Sequence, residues 1–421
     1  MDSDTLSRRT LRFVNVAHAL DHFVLLIYPT AVIAIAAQTG LGYGELIGLA
    51  TGAFVAFGLC SLPMGSLADR FGRRNMLAVF FFGYGLSCLG VASASTPLGF
   101  ALWLCVLGLA SAIYHPVGSA MLVTHARRLG HDLGINGVWG NLGAASASGL
   151  TALLAAAVSW RAAFIVPGLV CLACGAAFVA LVPGDGDAAG RKAGGAAVIP
   201  VTRPWALMAM FALSIFAGGL TFNLTTISLP KVIDEGVGQA LPLALTGSIA
   251  TGVFLFGALM QLAMGRLIDR YSLPSLFVAL SVLQPLGLGI AAVSTGLPLL
   301  AGLVLAMTAI YGQVVINDAM IARYVPPAYR ARAYSVRYFV GFTASGFVVP
   351  AIALLHDRGG FALVLGAASA CGAVIWLAAL GFLRLTQGGA RPALAARRVA
   401  RRFAGPARRC YAAPVRPAST P

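Results

Sequence analysis

The stretch Gly65-Ser66-Leu67-Ala68-Asp69-Arg70-Phe71-Gly72-Arg73-Arg74 closes one long apolar run and opens the next. A shortened copy, Gly265-Arg266-Leu267-Ile268-Asp269-Arg270-Tyr271, closes an apolar run in the later part of the chain. The copy lacks the last glycine and the basic pair and continues as Ser272-Leu273. A second echo sets Ala112-Ile113-Tyr114 against Ala309-Ile310-Tyr311. The pattern has a direct physical reading. Glycine lets one helix approach another closely, and an aspartate at a helix end accepts from free amides and pairs with arginine. Its repetition divides the chain into two related parts.

Outward from this loop the chain is almost wholly apolar. Of 421 residues 59% are hydrophobic and 10% charged, with a mean hydropathy of +0.87. A soluble chain of this length needs far more charge to cover its surface, so a bilayer is the solvent for much of it. A crossing helix needs about 20 apolar residues. Runs of that length fall at 13–37, 44–66, 76–95, 98–123, 134–158, 162–183, 204–230, 243–265, 275–294, 297–322, 333–355 and 361–383. The expected fold is therefore an all-α membrane protein with about twelve transmembrane helices in two six-helix halves. Residues 1–183 form the first bundle and 204–384 the second. The segment 184–203, GDGDAAGRKAGGAAVIPVTR, reads as a flexible linker between them. Residues 385–421 are rich in Arg, Ala and Pro without an apolar period. They are expected to be a disordered tail, either solvated or resting on anionic headgroups.

The net charge of +16 is distributed for topology and not for nucleic acid. The arginines occupy short gaps between apolar runs and the tail, with no basic face interleaved with stacking aromatics. With the N-terminus inside, the inner segments hold Arg8, Arg9, Arg12, Arg70, Arg73, Arg74, Arg127, Arg128, Arg191, Lys192, Arg203, Arg266, Arg270, Arg323, Arg330, Arg332 and every arginine from Arg384 onward. The outer loops hold Arg161, Lys231 and Arg358. This bias predicts cytoplasmic termini. Residues 1–12 are short and polar, so a cleavable signal peptide is not expected. Six of the seven cysteines lie within apolar runs, including Cys171 and Cys174, and read as small core residues.

Ionisable groups at membrane depth are costly, and few are present: His18, Asp21 and His22 in the first run, His115 in the fourth, Asp318 in the tenth and Arg337 in the eleventh. His18, Asp21 and His22 stand at i, i+3 and i+4 and share one helix face. His115 lies in Tyr114-His115-Pro116, where proline frees a carbonyl one turn earlier. Histidine titrates near ~6.5, so such a cluster can carry protons. It can equally serve as interhelical hydrogen bonding that holds the bundle. Other polar residues at depth are Asn141, Asn223, Thr225, Thr226, Gln313 and Asn317. Arg337, between Tyr334 and Tyr338, either pairs with Asp318 or binds an anionic group as a fork.

Gly-x-Leu-x-Asp-Arg-x-Gly-Arg-Arg resembles the signature loop of the major facilitator superfamily, and the likeness extends over about 13–384. In that family the loop latches the cytoplasmic side in the outward-facing state. This implies gating roles for Gly65, Asp69, Arg70, Gly72 and Arg73, with Asp269 and Arg270 as counterparts. The family's cavity is lined by the first, fourth, seventh and tenth helices. The polar residues at depth fall largely on those helices, so cavity roles are expected for Tyr114, Asn141, Asn223, Thr226, Gln313, Asn317, Asp318 and Arg337, and their chemistry at membrane depth gives proton-coupling roles to His18, Asp21, His22 and His115. A closer resemblance rests on Ala17-His18-Ala19-Leu20-Asp21-His22 with Tyr28-Pro29, on Tyr114-His115-Pro116, and on Gly140-Asn141-Leu142-Gly143. Together these are similar to the fosmidomycin-resistance branch, which implies proton-driven drug export. The chain departs from that pattern at Val117 and at Ser148-Gly149-Leu150, where the fifth-helix proline is missing.

The leading expectation is a proton-coupled exporter of a small organic compound in a bacterial inner membrane, acting as a monomer without a cofactor. A proton symporter for an organic acid is the first alternative, with Arg337 as the anion site. A divalent-metal transporter is the second, since His18, Asp21, His22 and His115 are suitable ligand types. A membrane sensor that moves nothing is the third. An enzyme is not expected, because no metal-hydrolase, nucleophile-elbow or nucleotide-loop motif occurs.

Overall fold

A computed structural model describes residues 3–127, 129–183, 203–237, 241–325 and 330–403, and every element among them is helical. A spanning segment has no water to satisfy its amides and carbonyls, so it satisfies them within itself. The apolar runs accordingly become α1 (Ser3–Leu25), α2 (Ile27–Thr39), α3 (Tyr43–Gly48), α4 (Thr51–Phe71), α5 (Arg73–Ser93), α6 (Pro97–His125), α7 (Leu129–Ala157), α8 (Ala162–Leu181), α9 (Pro204–Val237), α10 (Leu243–Arg270), α11 (Leu273–Ser281), α12 (Leu283–Val293), α13 (Gly296–Tyr324) and α14 (Arg330–Phe403).

Among the described residues, 10 stretches are long and apolar enough to cross a membrane, against the twelve expected. Two causes account for the difference. The expected segments 333–355 and 361–383 both lie in the continuous stretch α14, yet they are two helices that meet at a break, where Gly359 and Gly360 leave the helical backbone conformation and Gly360 takes φ 61°. The expected segment 134–158 is α7, whose length suffices but whose Gly140, Asn141, Gly143, Ser146, Ser148 and Gly149 replace aliphatic residues. Other crossings are broken within one span: α1 and α2 together make Asp4–Thr39, and α11 and α12 make Leu273–Val293. Pro29 and Pro285 lie just beyond these breaks, where a missing amide leaves a carbonyl one turn earlier unpaired.

The tail reading is corrected in part. Residues 385–403 continue α14 as helix, and nine of the eleven residues from Ala393 to Phe403 are Ala, Leu or Arg, all good helix formers. Residues 404–421, and the linker expected at 184–203 except Arg203, lie outside the described residues.

Helices α1 to α8 pack chiefly on one another, as do α9 to α14. The two sets meet mainly along α7 against α10 and along α4 against α14. Lipid offers no hydrophobic gain for helix association, so close approach and interhelical bonds must supply it. A Cβ on Gly247 of α10 would stand 2.5 Å from the Ser148 carbonyl of α7, and one on Gly108 of α6 only 2.0 Å from the Ala53 carbonyl of α4. At the signature loop Gly72 takes φ 87°, a left-handed conformation that turns α4 into α5 within one residue. Leu59, Leu62, Leu86, Leu98, Leu102 and Leu259 all face outward, as lipid-facing positions should. Inside, Phe80, Phe81, Tyr84, Phe164 and Phe178 are fully buried and pack α5 against α6 and α8. Cys171 is buried in this core, and Cys171 and Cys174 are both free thiols.

Candidate functional site

The face of α1 predicted from the i, i+3, i+4 spacing is turned inward, toward α6 and α7. Asp21 is almost completely buried, at 1% exposure. A carboxylate in such a place must be compensated. Tyr84 of α5 donates its hydroxyl to Oδ1 at 2.7 Å, and Ser111 of α6 donates to the same oxygen at 2.8 Å. His115 of α6 brings Nε2 to 3.3 Å from Oδ2. The pairing draws three helices to one carboxylate.

The remaining imidazoles gather beside it. The rings of His18 and His22 lie 5.0 Å apart, and His115 is 5.6 Å from each. His18 stacks on Tyr114 at 4.9 Å, and its Nδ1 lies 2.7 Å from the Asn136 carbonyl of α7. Gly140, one turn further along α7, leaves the space the His18 ring fills, for a Cβ there would come within 2.6 Å of it. Behind the ring, Asn136 donates to the Tyr114 hydroxyl at 3.0 Å and to Asn15 at 2.9 Å, and Tyr114 reaches the Val14 carbonyl at 3.2 Å. The four residues assigned to proton coupling thus form one buried constellation. Its supporting groups, Tyr84, Ser111 and Asn136, did not emerge from the sequence. A lone phenol in the run Phe80-Phe81-Phe82-Gly83-Tyr84 was the available signal.

The polar residues of the later part arrange themselves differently. Gln313 of α13 accepts from Gln284 of α12 and donates to Ser214 of α9 at 3.1 Å, a fully buried neutral network. Asn317 is buried, and its Oδ1 has no hydrogen-bond partner among the described residues. Arg337 forms an ion pair with Asp318 and donates to the Val314 carbonyl at 3.3 Å. Asn223, Thr225 and Thr226 are bonded to carbonyls one turn back on α9, the usual resting place for such side chains at membrane depth. Asn141 bridges α7 to α10 through Gln261. The structure therefore brings together the first-part residues and the Asp318–Arg337 pair, and leaves Asn141, Asn223 and Thr226 in local or interhelical bonds.

The profile of the Major Facilitator Superfamily matches residues 13–244, more than half of the chain. The chain belongs to the major facilitator superfamily. A curated relative, an uncharacterized MFS-type transporter of Methanocaldococcus jannaschii, is 37% identical over 108 residues. That match spans 25% of this chain and 28% of the relative. Among solved structures, the inward open xylose transporter of E. coli shares the fold with a TM-score of 0.69 at 13% identity, covering 90% of this chain and 96% of that one. A D-xylose-proton symporter does so with a TM-score of 0.68 at 15% identity, covering 89% and 97%.

The two ends of this facilitator differ. At the end carrying the signature loop, polar contacts link helices of the same part. Arg73 lies 3.7 Å from Asp69 and donates to Thr124 at 3.1 Å, and Arg74 donates to the Val182 carbonyl at 3.0 Å. Asp69, Arg70, Asp269 and Arg270 are exposed, and the Arg70 guanidinium sits 5.3 Å over the Phe71 ring. A side chain at Gly65 would meet open space. At the opposite end the parts touch. Tyr43 of α3 packs edge-on against His356 of α14 at 4.9 Å, and a Cβ on Gly44 would collide with the Asp357 carboxylate. His356 lies 3.3 Å from Glu235 of α9, which is 3.6 Å from Lys231. Sequence reasoning left this cluster in the loops, since its members lie just past the ends of the expected spans.

Proposed function

We propose that this chain is a proton-coupled secondary transporter that exports a small organic compound by alternating access. The observation that supports it most is the buried Asp21, held by Tyr84, Ser111 and His115 with His18 and His22 beside it. A proton taken up by Asp21 removes a buried charge, and one taken up by a histidine adds one. Either event changes the electrostatic cost of closing water out of the site. Each proton moved inward contributes ~2.3 kcal/mol per 100 mV of membrane potential. Contact between the parts at the Tyr43–His356 end, with same-part contacts at the other, fits a cavity open toward the signature loop. In this reading Gly65, Asp69, Arg70, Gly72, Arg73, Asp269 and Arg270 close that side later in the cycle. The arginine distribution supports a cytoplasmic signature loop and cytoplasmic termini, and in this reading the chain is an inner-membrane monomer. Two six-helix bundles, 1–183 and 204–384, move against each other, with Gln313, Asn317, Asp318 and Arg337 as the second bundle's contribution to the cavity. Export follows from likeness to the fosmidomycin-resistance branch at His18-Ala19-Leu20-Asp21-His22 and Tyr114-His115-Pro116.

Uptake symport is the second reading. It draws on the fold shared with a protein titled a D-xylose-proton symporter. Reconstitution in vesicles with a trapped pH dye separates the two. Export predicts that at least one added organic solute drives proton movement in the opposite direction to its own. Movement of both in the same direction replaces export by symport. If no solute in a broad screen moves protons, coupling fails altogether.

A further inference from the structure

One ring nitrogen from each of His18, His22 and His115 lies within 4.8 Å of the other two. Three imidazoles converging at membrane depth repel one another if charged and leave lone pairs unused if neutral. What sets the trio apart from a packing cluster is the oxygen that faces a nitrogen in two of its rings. His18 Nδ1 is held at 2.7 Å by the Asn136 carbonyl, and His115 Nε2 stands 3.3 Å from the Asp21 carboxylate. A carbonyl or carboxylate facing one nitrogen places the proton there, so the second nitrogen presents its lone pair. Backbone carbonyls and carboxylates are the usual outer partners of metal-bound histidines, which they orient and make more basic. His22 makes no hydrogen bond among the described residues, and its ring packs 5.0 Å from that of His18 and 5.6 Å from that of His115.

We propose that His18, His22 and His115 form a binding site for a divalent transition-metal cation of the zinc class, with Asp21 and the Asn136 carbonyl as positioning groups. Ligand chemistry selects the cation: imidazole suits Zn²⁺, Co²⁺, Ni²⁺ and Cu²⁺, whereas Mg²⁺ and Ca²⁺ require oxygen ligands. With Zn–N bonds near 2.0–2.1 Å, tetrahedral ligand atoms stand about 3.4 Å apart. Binding therefore draws the three ligand atoms together from their present spacing of up to 4.8 Å. Three protein ligands leave a fourth position for water or for a donor atom of a transported compound. The inference stands on ring geometry and does not depend on the proton-coupling reading, although protons and metal compete for the same lone pairs.

The test uses the purified full-length chain in detergent, stripped with a chelator and titrated with Co²⁺ as a spectroscopic probe. The expected result is one Co²⁺ per chain, with the intense visible bands of a tetrahedral nitrogen site, displaced by Zn²⁺ and not by Mg²⁺. His22→Ala and His22→Gln should each weaken binding by roughly 10-fold or more, and Asp21→Asn by roughly 10–100-fold as an outer partner. His131→Ala, at an exposed histidine beside Asp132, should bind as the parent does. Elution as a monodisperse peak shows that a variant is folded, and the Gln variant keeps the side-chain volume if the Ala variant fails. Absence of bands, or binding by both His22 variants as tight as the parent's, overturns the site. Proton flux measured in chelator-treated vesicles is independent of this result, so failure of metal binding and failure of proton coupling are told apart.

Discussion

The cluster on α1 and α6 and the network on α9, α12 and α13 occupy corresponding places in the two parts, yet their chemistry is opposite. The first gathers three titratable groups, His18, His22 and His115, beside one buried carboxylate, Asp21. The second gathers neutral groups, Gln284, Gln313 and Ser214, and keeps its charged pair, Asp318 and Arg337, apart from them. Neutral amides offer no site for an added charge, whereas a carboxylate and three imidazoles do. The two related parts thus differ in the chemistry of their buried polar groups.

The comparison breaks if the wrong part controls protons. Asp21→Asn should reduce solute-driven proton flux in vesicles to the level of protein-free controls, while Gln313→Leu retains at least part of it. If the Gln313 variant loses proton flux and the Asp21 variant keeps it, the assignment of roles is reversed. The next effect concerns the seam between the parts. Gly247→Leu places a side chain where a Cβ already meets the Ser148 carbonyl and Ala152. It should cost about 1–3 kcal/mol by overpacking, read as a lower thermal midpoint in detergent. An unchanged midpoint would show that α7 and α10 are not held at this distance. Gln313→Leu is expected to lower stability by roughly 1 kcal/mol, since it leaves Gln284 and Ser214 without their shared partner. The smallest effect is expected at Thr226→Val, within about 0.5 kcal/mol, because the hydroxyl bonds only to its own helix at Phe222. A large transport defect there, with stability intact, would move Thr226 into the cavity and make the second part less uniform than described.

Particular residues show how far the sequence reaches. The spacing of His18, Asp21 and His22 was enough to place them on one face, and the pair Asp318 and Arg337 was foreseeable from two opposite charges in neighbouring apolar runs. Thr225 and Thr226 were equally visible, but nothing in the sequence tells a hydroxyl aimed at a cavity from one folded back on its own carbonyl. Ser111 carried no sign of its role and Tyr84 only that of a lone phenol in an aromatic run, since each is an ordinary residue until α5 and α6 are set against α1. The break between the last two expected spans stands at Gly359 and Gly360, whose non-helical backbone separates the two helices joined in α14.

The sequence by itself determined the membrane class, the family loop at Gly65–Arg74, its echo at Gly265–Tyr271 and the shared face of α1. These depend on composition and on periodicity along one helix, which are properties of the chain alone. Tertiary structure decided which groups compensate Asp21, that three histidines converge within one ion's reach, that Asn141 serves as a bridge to Gln261, and which end of the molecule is held together by Tyr43 and His356. Those outcomes depend on the rotation and depth of one helix against another. In lipid that choice is made by close packing at positions such as Gly143 and Gly247 and by a few buried hydrogen bonds, and neither is written in the period of any single helix.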